Sequence, residues 1–339
     1  MNNGKTDCSV IIPAYNAERT IAKAVESLFS NDSEEYRIEV LVIDDGSVDT
    51  TARIISELEQ KNPSVRLLQK GNGGVSSARN VGLSQARGRF VFFMDADDEI
   101  APDALNRLIR TALTTGADVV MADFEKVDIS SGRNERVRLP LPSQKLLRGD
   151  EITQNIMLRF VNGDADGFSQ LWNKLYVRER IAADAFDEKR THGEDWDFNI
   201  RFFEAAETVY YEDVVLYRYY VNGDVDLSKY KKGLVYGYIE GYRQLMRITD
   251  KYRFDSLDKT LKYRMMNNAA FRFVSLLKME EVPQEEKRAL LRTEEVKSLF
   301  QNLAKLDGDT LSTLSLSRKD RLAFRLLSAG LYHSALRIL

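Results

Sequence analysis

Apolar and polar positions alternate in blocks over the first 123 residues. Residues 8–13 (CSVIIP), 39–43 (EVLVI) and 90–94 (FVFFM) are short, nearly unbroken apolar runs, the pattern of strands buried on both faces. Between them the period becomes helical. Residues 18–30 place Ile21, Val25, Leu28 and Phe29 on one face, and residues 49–61 do the same with Ile54, Ile55 and Leu58. A shorter strand is predicted over 65–68, then a helix over 76–86 behind Gly71, Gly73 and Gly74. Pro102 marks the first turn of another helix, and 119–122 reads as a further strand. This alternation predicts a doubly wound, mostly parallel α/β sheet with flanking helices.

From Phe124 to Gly149 the pattern weakens into polar, loop-rich sequence with Pro140 and Pro142. Residues 150–160 and 194–206 read as helices, 168–176 is short and aromatic, and 208–220 reads as a strand or hairpin rich in Tyr and Val. From Lys229 the periodicity is almost wholly helical, with helices predicted at about 233–251, 259–278, 283–292, 296–304 and 319–338. The predicted division is an α/β domain over 1–228 and an all-α domain over 229–339.

Charge sharpens that division. The net charge of −3 hides 22 Lys and Arg against 13 Asp and Glu from Lys229 onward, and 27 against 39 before it. An acidic first part joined to a basic last part suggests two tasks. Ser317 reads as the cap of a basic amphipathic helix carrying Leu322, Leu326, Leu327 and Leu331. Three readings of this tail stay open: a bundle with solvated faces, docking to an anionic membrane surface or polymer, and homo-oligomerisation. No recognition motif accompanies the basic charge, so no nucleic-acid partner is expected. A hydrophobic fraction of 43% excludes a disordered chain. The lone Cys8 cannot form an internal disulfide and fits a reducing compartment. Residues 1–7 are polar, which predicts no signal peptide, and no run approaches the length of a membrane span. The expectation is a cytoplasmic chain, at most peripheral to the inner face of the membrane.

Three of the apolar runs end in polar residues. The first runs into Pro13-Ala14-Tyr15-Asn16, the second into Asp44-Asp45-Gly46-Ser47, and the run at 90–94 into Asp95-Ala96-Asp97-Asp98-Glu99. Carboxylates that crowded repel one another, and a hard divalent cation such as Mg²⁺ or Mn²⁺ would relieve the repulsion. The alternative is an acidic loop whose Asp98 caps the helix near Pro102, just as Asp49 could cap the helix after Asp44-Asp45. Ligands of open α/β sheets gather at the carboxyl ends of the strands, so three such endings on one edge describe a cleft with an acidic floor. Far along the chain, Glu194-Asp195 opens a helix. The pair either complements the helix dipole or holds an ionised carboxylate ready to accept a proton. Trp172 suits either stacking on a ligand ring or the core. His192 could meet a ligand or metal, or lie at the surface. Gly71-Asn72-Gly73-Gly74 lacks the G-x-G-x-x-G spacing and follows the third strand, which argues against a dinucleotide loop.

Taken together, Ser9–Asn16, Val42–Asp49, Ala78-Arg79-Asn80-Val81-Gly82, Phe92–Asp98 and Gly193-Glu194-Asp195-Trp196 resemble the family 2 inverting glycosyltransferases of GT-A fold, in order and in spacing. The resemblance covers roughly residues 8–220 and does not reach the helical tail. It implies a UDP-sugar donor, with Asp45, beside Asp44, at the uracil edge and Pro13 and Tyr15 packed on the base. Arg79 would reach the base or the diphosphate, and Asp95, with Ala96, would hold the ribose. Asp97 would coordinate Mn²⁺ or Mg²⁺, with Asp95 and Asp98 as further candidates. It also implies that Asp195, beside Glu194, is the general base, and that Trp172 and Lys174 lie between donor and acceptor. The implied acceptor is a cell-surface glycan, a teichoic-acid-like polyol-phosphate polymer or a lipid-linked sugar. One departure stands out: residues 220–228 are acidic where a basic diphosphate contact is expected, which leaves Lys229, Lys231 or Lys232 to substitute. Two rival classes fit less well. A sugar-nucleotide pyrophosphorylase needs a Gly-rich basic loop where this chain has Pro13-Ala14-Tyr15-Asn16. A catalytically silent nucleotide-sugar-binding module would lack the metal or base carboxylates, which are present.

Overall fold

The computed structural model describes residues 6–31, 35–182, 184–221, 233–254 and 261–304, and beyond them 322, 325–327, 329–331 and 334–335. The chain forms two compact units. The first comprises Met1–Met157, Ala165–Glu188 and Glu194–Val225; the second comprises Leu158–Asp164, Lys189–Gly193 and Asp226–Leu339. The expected boundary at 228/229 falls outside the described residues.

The first unit is built on one ten-stranded sheet. Strands β1 (Cys8–Ala14), β2 (Ile38–Asp44), β3 (Val65–Gln69) and β4 (Phe90–Phe93) stand in the order β3-β2-β1-β4, all parallel. Helices α1 (Ile21–Phe29), α2 (Thr51–Lys61) and α3 (Val75–Gln85) connect them. The buried run of β1 and the wholly buried β4 explain why these strands read as continuous apolar stretches: both faces are covered. Beyond β4 the sheet departs from the predicted parallel pattern. After β5 (Glu99–Ile100), α4 (Ala104–Thr115), β6 (Val119–Asp128), β7 (Arg133–Val137), β8 (Leu146–Arg148), and the short helices α5 (Asp150–Ile152) and α6 (Leu158–Asn162), the chain returns as β9 (Lys174–Val177). This strand inserts antiparallel between β4 and β6. Four residues are too few to show a period, which is why this stretch read only as short and aromatic. Helix α7 (Glu194–Ala205) follows, and then β10 (Thr208–Val221), a single strand parallel to β6 with irregularities near Val215.

Register brings the site together. Ala14 pairs with Asp44 and Ile11 with Phe93, and the Met94 N–H donates to Ile11 O at 3.0 Å. The three polar strand ends therefore share one edge. Helix α3 presses closely on the strands beneath that edge because Gly82 has no side chain: a Cβ there would lie 2.5 Å from Ile11 Cγ2 and 3.0 Å from Ile43 Cδ1. Gly82→Ala is expected to cost about 1–3 kcal/mol by overpacking, read from urea denaturation. A loss below about 0.5 kcal/mol, the range of ordinary surface substitutions, would mean that the helix moves freely off the sheet.

The second unit has its own core. It is formed by α8 (Leu234–Tyr252), α9 (Leu261–Lys278), α10 (Gln284–Arg292) and α11 (Glu294–Ala304), through residues such as Ile239, Phe273, Leu290 and Phe300. The Ser317 cap, the loop 222–228, His333 and most of the helix expected over 319–338 lie outside the described residues. Among the described residues, no helix is long and apolar enough to cross a membrane.

Candidate active site

Arg79 is the centre of the cleft. It rises from the buried face of α3, and its guanidinium is only 4% exposed. Nη1 donates to Asp195 Oδ1 at 2.5 Å and to Glu194 Oε1 at 3.2 Å, while Nη2 donates to Asp95 Oδ1 at 3.3 Å. The Phe186 ring lies 5.5 Å from its guanidinium carbon. One cation thus gathers the end of β4 and the first turn of α7, which lie 100 residues apart in the chain.

The three carboxylates differ in what surrounds them. Burial pushes the Asp195 carboxyl up to about 7, with Glu194 and Asp95 adding repulsion and Arg79 pulling the other way. A helix N-terminus by itself would keep Asp195 ionised at neutral pH. Burial outweighs that dipole, and the group sits at its midpoint near neutrality, moderated by the 27% of its side chain left open to solvent. Burial likewise raises Asp95, against the pull of Arg79. The Asp95 N–H donates to the Tyr217 hydroxyl at 2.9 Å, which fixes the loop that follows β4.

Asp98 does not cap a helix. Its Oδ1 accepts the Tyr220 N–H at 2.8 Å, and its Oδ2 is buried with no partner at hydrogen-bond distance. Burial raises it to about 8, helped by repulsion from Asp95 and Asp97. Helix α4 instead begins after Asp103. Asp97 is exposed and Ala96 half-buried. Among the described residues, no three His, Cys, Asp or Glu side chains form a ready metal cage. The donor chemistry nevertheless fits a hard cation. Asp97 faces solvent and Asp95 is half-buried, a short set of oxygen donors of the kind that holds Mg²⁺ with substrate phosphates completing the shell.

At the neighbouring strand end, Asp44 accepts Ser47 N–H at 3.0 Å and Gln69 Nε2 at 3.3 Å. Asp45 is wrapped by the loop that follows β3. Its Oδ1 accepts Lys70 Nζ at 2.5 Å and Gly73 N–H at 2.9 Å, and its Oδ2 accepts Gly74 N–H at 2.7 Å. Gly46 (φ 76°) allows this approach, since a Cβ there would lie 2.8 Å from Asn72 N. Lys70 and the glycine amides were missed from sequence. The signal was available, because the third strand ends on the same edge as the others. Tyr15, the residue after β1, has 52% of its surface exposed, and Pro13 is half-buried.

The two residues expected near the acceptor are corrected. Trp172 is 4% exposed and stacks on Tyr217 at 4.6 Å, with Tyr219 at 5.4 Å, so it offers no face to a sugar. Lys174 is fully buried and bonds to protein oxygens. His192, in the second unit, lies against the Tyr238 ring at 5.4 Å.

Comparison with known proteins now bears on this arrangement. Residues 9–179 match the family model described as glycosyl transferase family 2, which is half of the chain. The chain belongs to glycosyl transferase family 2. It is 32% identical over 220 residues to the uncharacterized glycosyltransferase EpsJ of Bacillus subtilis, covering 63% of this chain and 61% of that protein. It is 28% identical over 265 residues to the uncharacterized glycosyltransferase YibD of Escherichia coli, covering 78% and 76%. The chain therefore spans less than two thirds of EpsJ. In fold, this glycosyltransferase is similar to S. aureus TarS 1–349, solved in complex with UDP-GlcNAc, with a TM-score of 0.63 and 19% identity over 98% of this chain and 90% of that one. The α/β sheet with flanking helices and a helical C-terminal region is thus the GT-A arrangement.

Proposed function

We propose that this glycosyltransferase moves one sugar from a UDP-sugar to a hydroxyl of a cell-surface glycan, polyol-phosphate polymer or lipid-linked acceptor, with inversion at the anomeric carbon. The observation that carries this reading is the grouping of Asp95, Glu194 and Asp195 on Arg79 at the carboxyl edge of the sheet. The UDP-GlcNAc bound to TarS supports the choice of donor class. Tyr15 and Pro13 would stack on the uracil. Asp45, three of whose roughly four acceptor positions are taken, would accept from the base with the remaining one. Asp95 would hold the ribose. A Mn²⁺ or Mg²⁺ ion held by Asp97, with Asp95 or Asp98, would supply charge neutralisation for the departing diphosphate.

Asp195 accepts the proton of the attacking hydroxyl. The acceptor oxygen bonds to the anomeric carbon as that carbon's bond to the UDP oxygen breaks, and the proton ends on the Asp195 carboxylate. Glu194 holds Arg79 beside the base. The basic charge from Lys229 onward supports assigning the second unit to an anionic acceptor or membrane surface at the inner, cytoplasmic face.

A thermal-shift series with UDP-glucose, UDP-galactose, UDP-GlcNAc and UDP-GalNAc plus Mn²⁺ tests the donor. A donor at a hundred times its Kd contributes about 2.7 kcal/mol, which should raise the Tm by several degrees for one sugar above the others. Release of UDP with that sugar separates an enzyme from a silent binding module. Stabilisation by a GDP- or ADP-sugar and by none of the UDP-sugars would overturn the reading.

A further inference from the structure

We propose that Lys174 is a positioning residue for Asp195, a buried ammonium that fixes the loop 167–170 and, through Asn199, the first turn of α7. The inference rests on the reading of Asp195 as the general base. Lys174 Nζ donates to Gly167 O at 3.0 Å, Gln170 O at 2.5 Å and Asn173 Oδ1 at 2.7 Å. The amide of Asn173 is oriented by its own donation to Gly167 O at 2.7 Å and Ala122 O at 3.3 Å, which turns its oxygen to the lysine. Three acceptors match the three donors of an ammonium; a neutral amine would have only two N–H groups to give them.

The same loop is held from α7. Asn199 Nδ2 donates one N–H to Asp195 O at 2.9 Å and shares the other between Ser169 O at 2.8 Å and Gln170 O at 3.2 Å, and its Oδ1 accepts the Tyr176 hydroxyl at 2.9 Å. Gln170 O is therefore shared by Lys174 and Asn199, and two oxygen atoms link the ammonium to the backbone of the base. The charged and titratable groups facing Asp195 are Arg79, Glu194, Asp95, Lys174 and Tyr176. Of these only Arg79 and Lys174 are bases that can carry positive charge, and Arg79 is divided among three carboxylates. Burial pushes the Lys174 amine well below its ordinary value, and the Asp195 carboxylate pulls against that shift without cancelling it. An apolar side chain of similar length would leave Gln170 O and Asn173 Oδ1 short of a donor and would place no charge beside Asp195.

The test is Lys174→Met, profiled for UDP affinity and for UDP release from the best UDP-sugar of the thermal-shift series between about pH 5.5 and 9. Affinity for UDP should stay within about threefold, kcat should fall at least about tenfold, and the acid limb of kcat should move up by about half to one pH unit. Asn199→Ala removes the tie and keeps the charge, so it should lower kcat and leave the limb in place. A folded Lys174→Met with unchanged kcat and limb overturns the proposal. So does one whose kcat and UDP affinity fall together, the mark of a merely structural role. If Lys174→Met folds poorly or turns over too slowly to profile, Asn199→Ala decides, and an unchanged kcat there overturns it. Asp195→Asn in the same assay tells the two ideas apart: turnover retained there removes the base assignment itself, whereas loss there with a silent Lys174→Met removes only the positioning role.

Discussion

Asp195→Asn is expected to lower sugar transfer by about 10²–10⁴-fold, the usual contribution of a placed general base, while UDP affinity stays within a few-fold of the parent. Asparagine keeps the size of the side chain and an acceptor oxygen for Arg79, but it cannot take the proton of the attacking hydroxyl. The fold should tolerate the change, because one poorly hydrated carboxyl is removed and Arg79 keeps Glu194 and Asp95. The pH dependence follows from the same group. Burial raises Asp195 to about 7, and only its ionised form can accept a proton, so parent activity should climb with pH through that value. In the Asn variant the residual activity should lose this limb. Measured as UDP release across pH, transfer within tenfold of the parent in a folded, UDP-binding variant would remove Asp195 from the mechanism.

Several parts of this arrangement were legible in the chain before its structure. The strands β1, β2 and β4 are buried on both faces, so hydrophobicity alone marked them, and the topology of a wound sheet then placed Asp44 and Asp95 on one edge. Asp195 was reachable only through resemblance, since a carboxylate at a helix start is ambiguous in isolation. What failed did so for a physical reason. Trp172 and Lys174 depend on partners far away in sequence or on backbone oxygens. The Trp172 ring is covered by Tyr217 and Tyr219, and Lys174 is neutral to any periodicity because its bonds go to loop carbonyls. Of the two readings open for Asp98, a metal candidate or a helix cap, the cap gives way because its Oδ1 is claimed by the backbone of Tyr220, on a strand 122 residues later. Arg79 was expected to face the donor alone. That it also binds Asp195 and Glu194 could not be read from spacing.

Arg79→Met should therefore be the most damaging single change in the first unit. It leaves Asp95, Glu194 and Asp195 without their shared cation, and breaking a buried ion pair from one side costs about 3–5 kcal/mol. The three carboxylates keep between 16% and 35% of their side-chain surface, so the lower end of that range is expected. The penalty should depend on pH with a definite sign. Asp195 and Asp95 are already raised in the folded protein, and removal of Arg79, which pulls both down, must raise them further. A carboxyl whose folded value lies above its unfolded value binds protons more readily when folded, so stability falls as pH rises between the two. The loss in Arg79→Met should thus be small near pH 5, where the carboxyls can protonate, and grow toward pH 8. Arg79→Lys keeps the charge without the planar fork that serves three partners, and should fall between the two. Denaturant unfolding at about pH 5.5 and 8 measures the difference. An equal loss at both pH values would mean that Arg79 acts by packing against Phe186, and not as the cation that lets three carboxylates share one cleft.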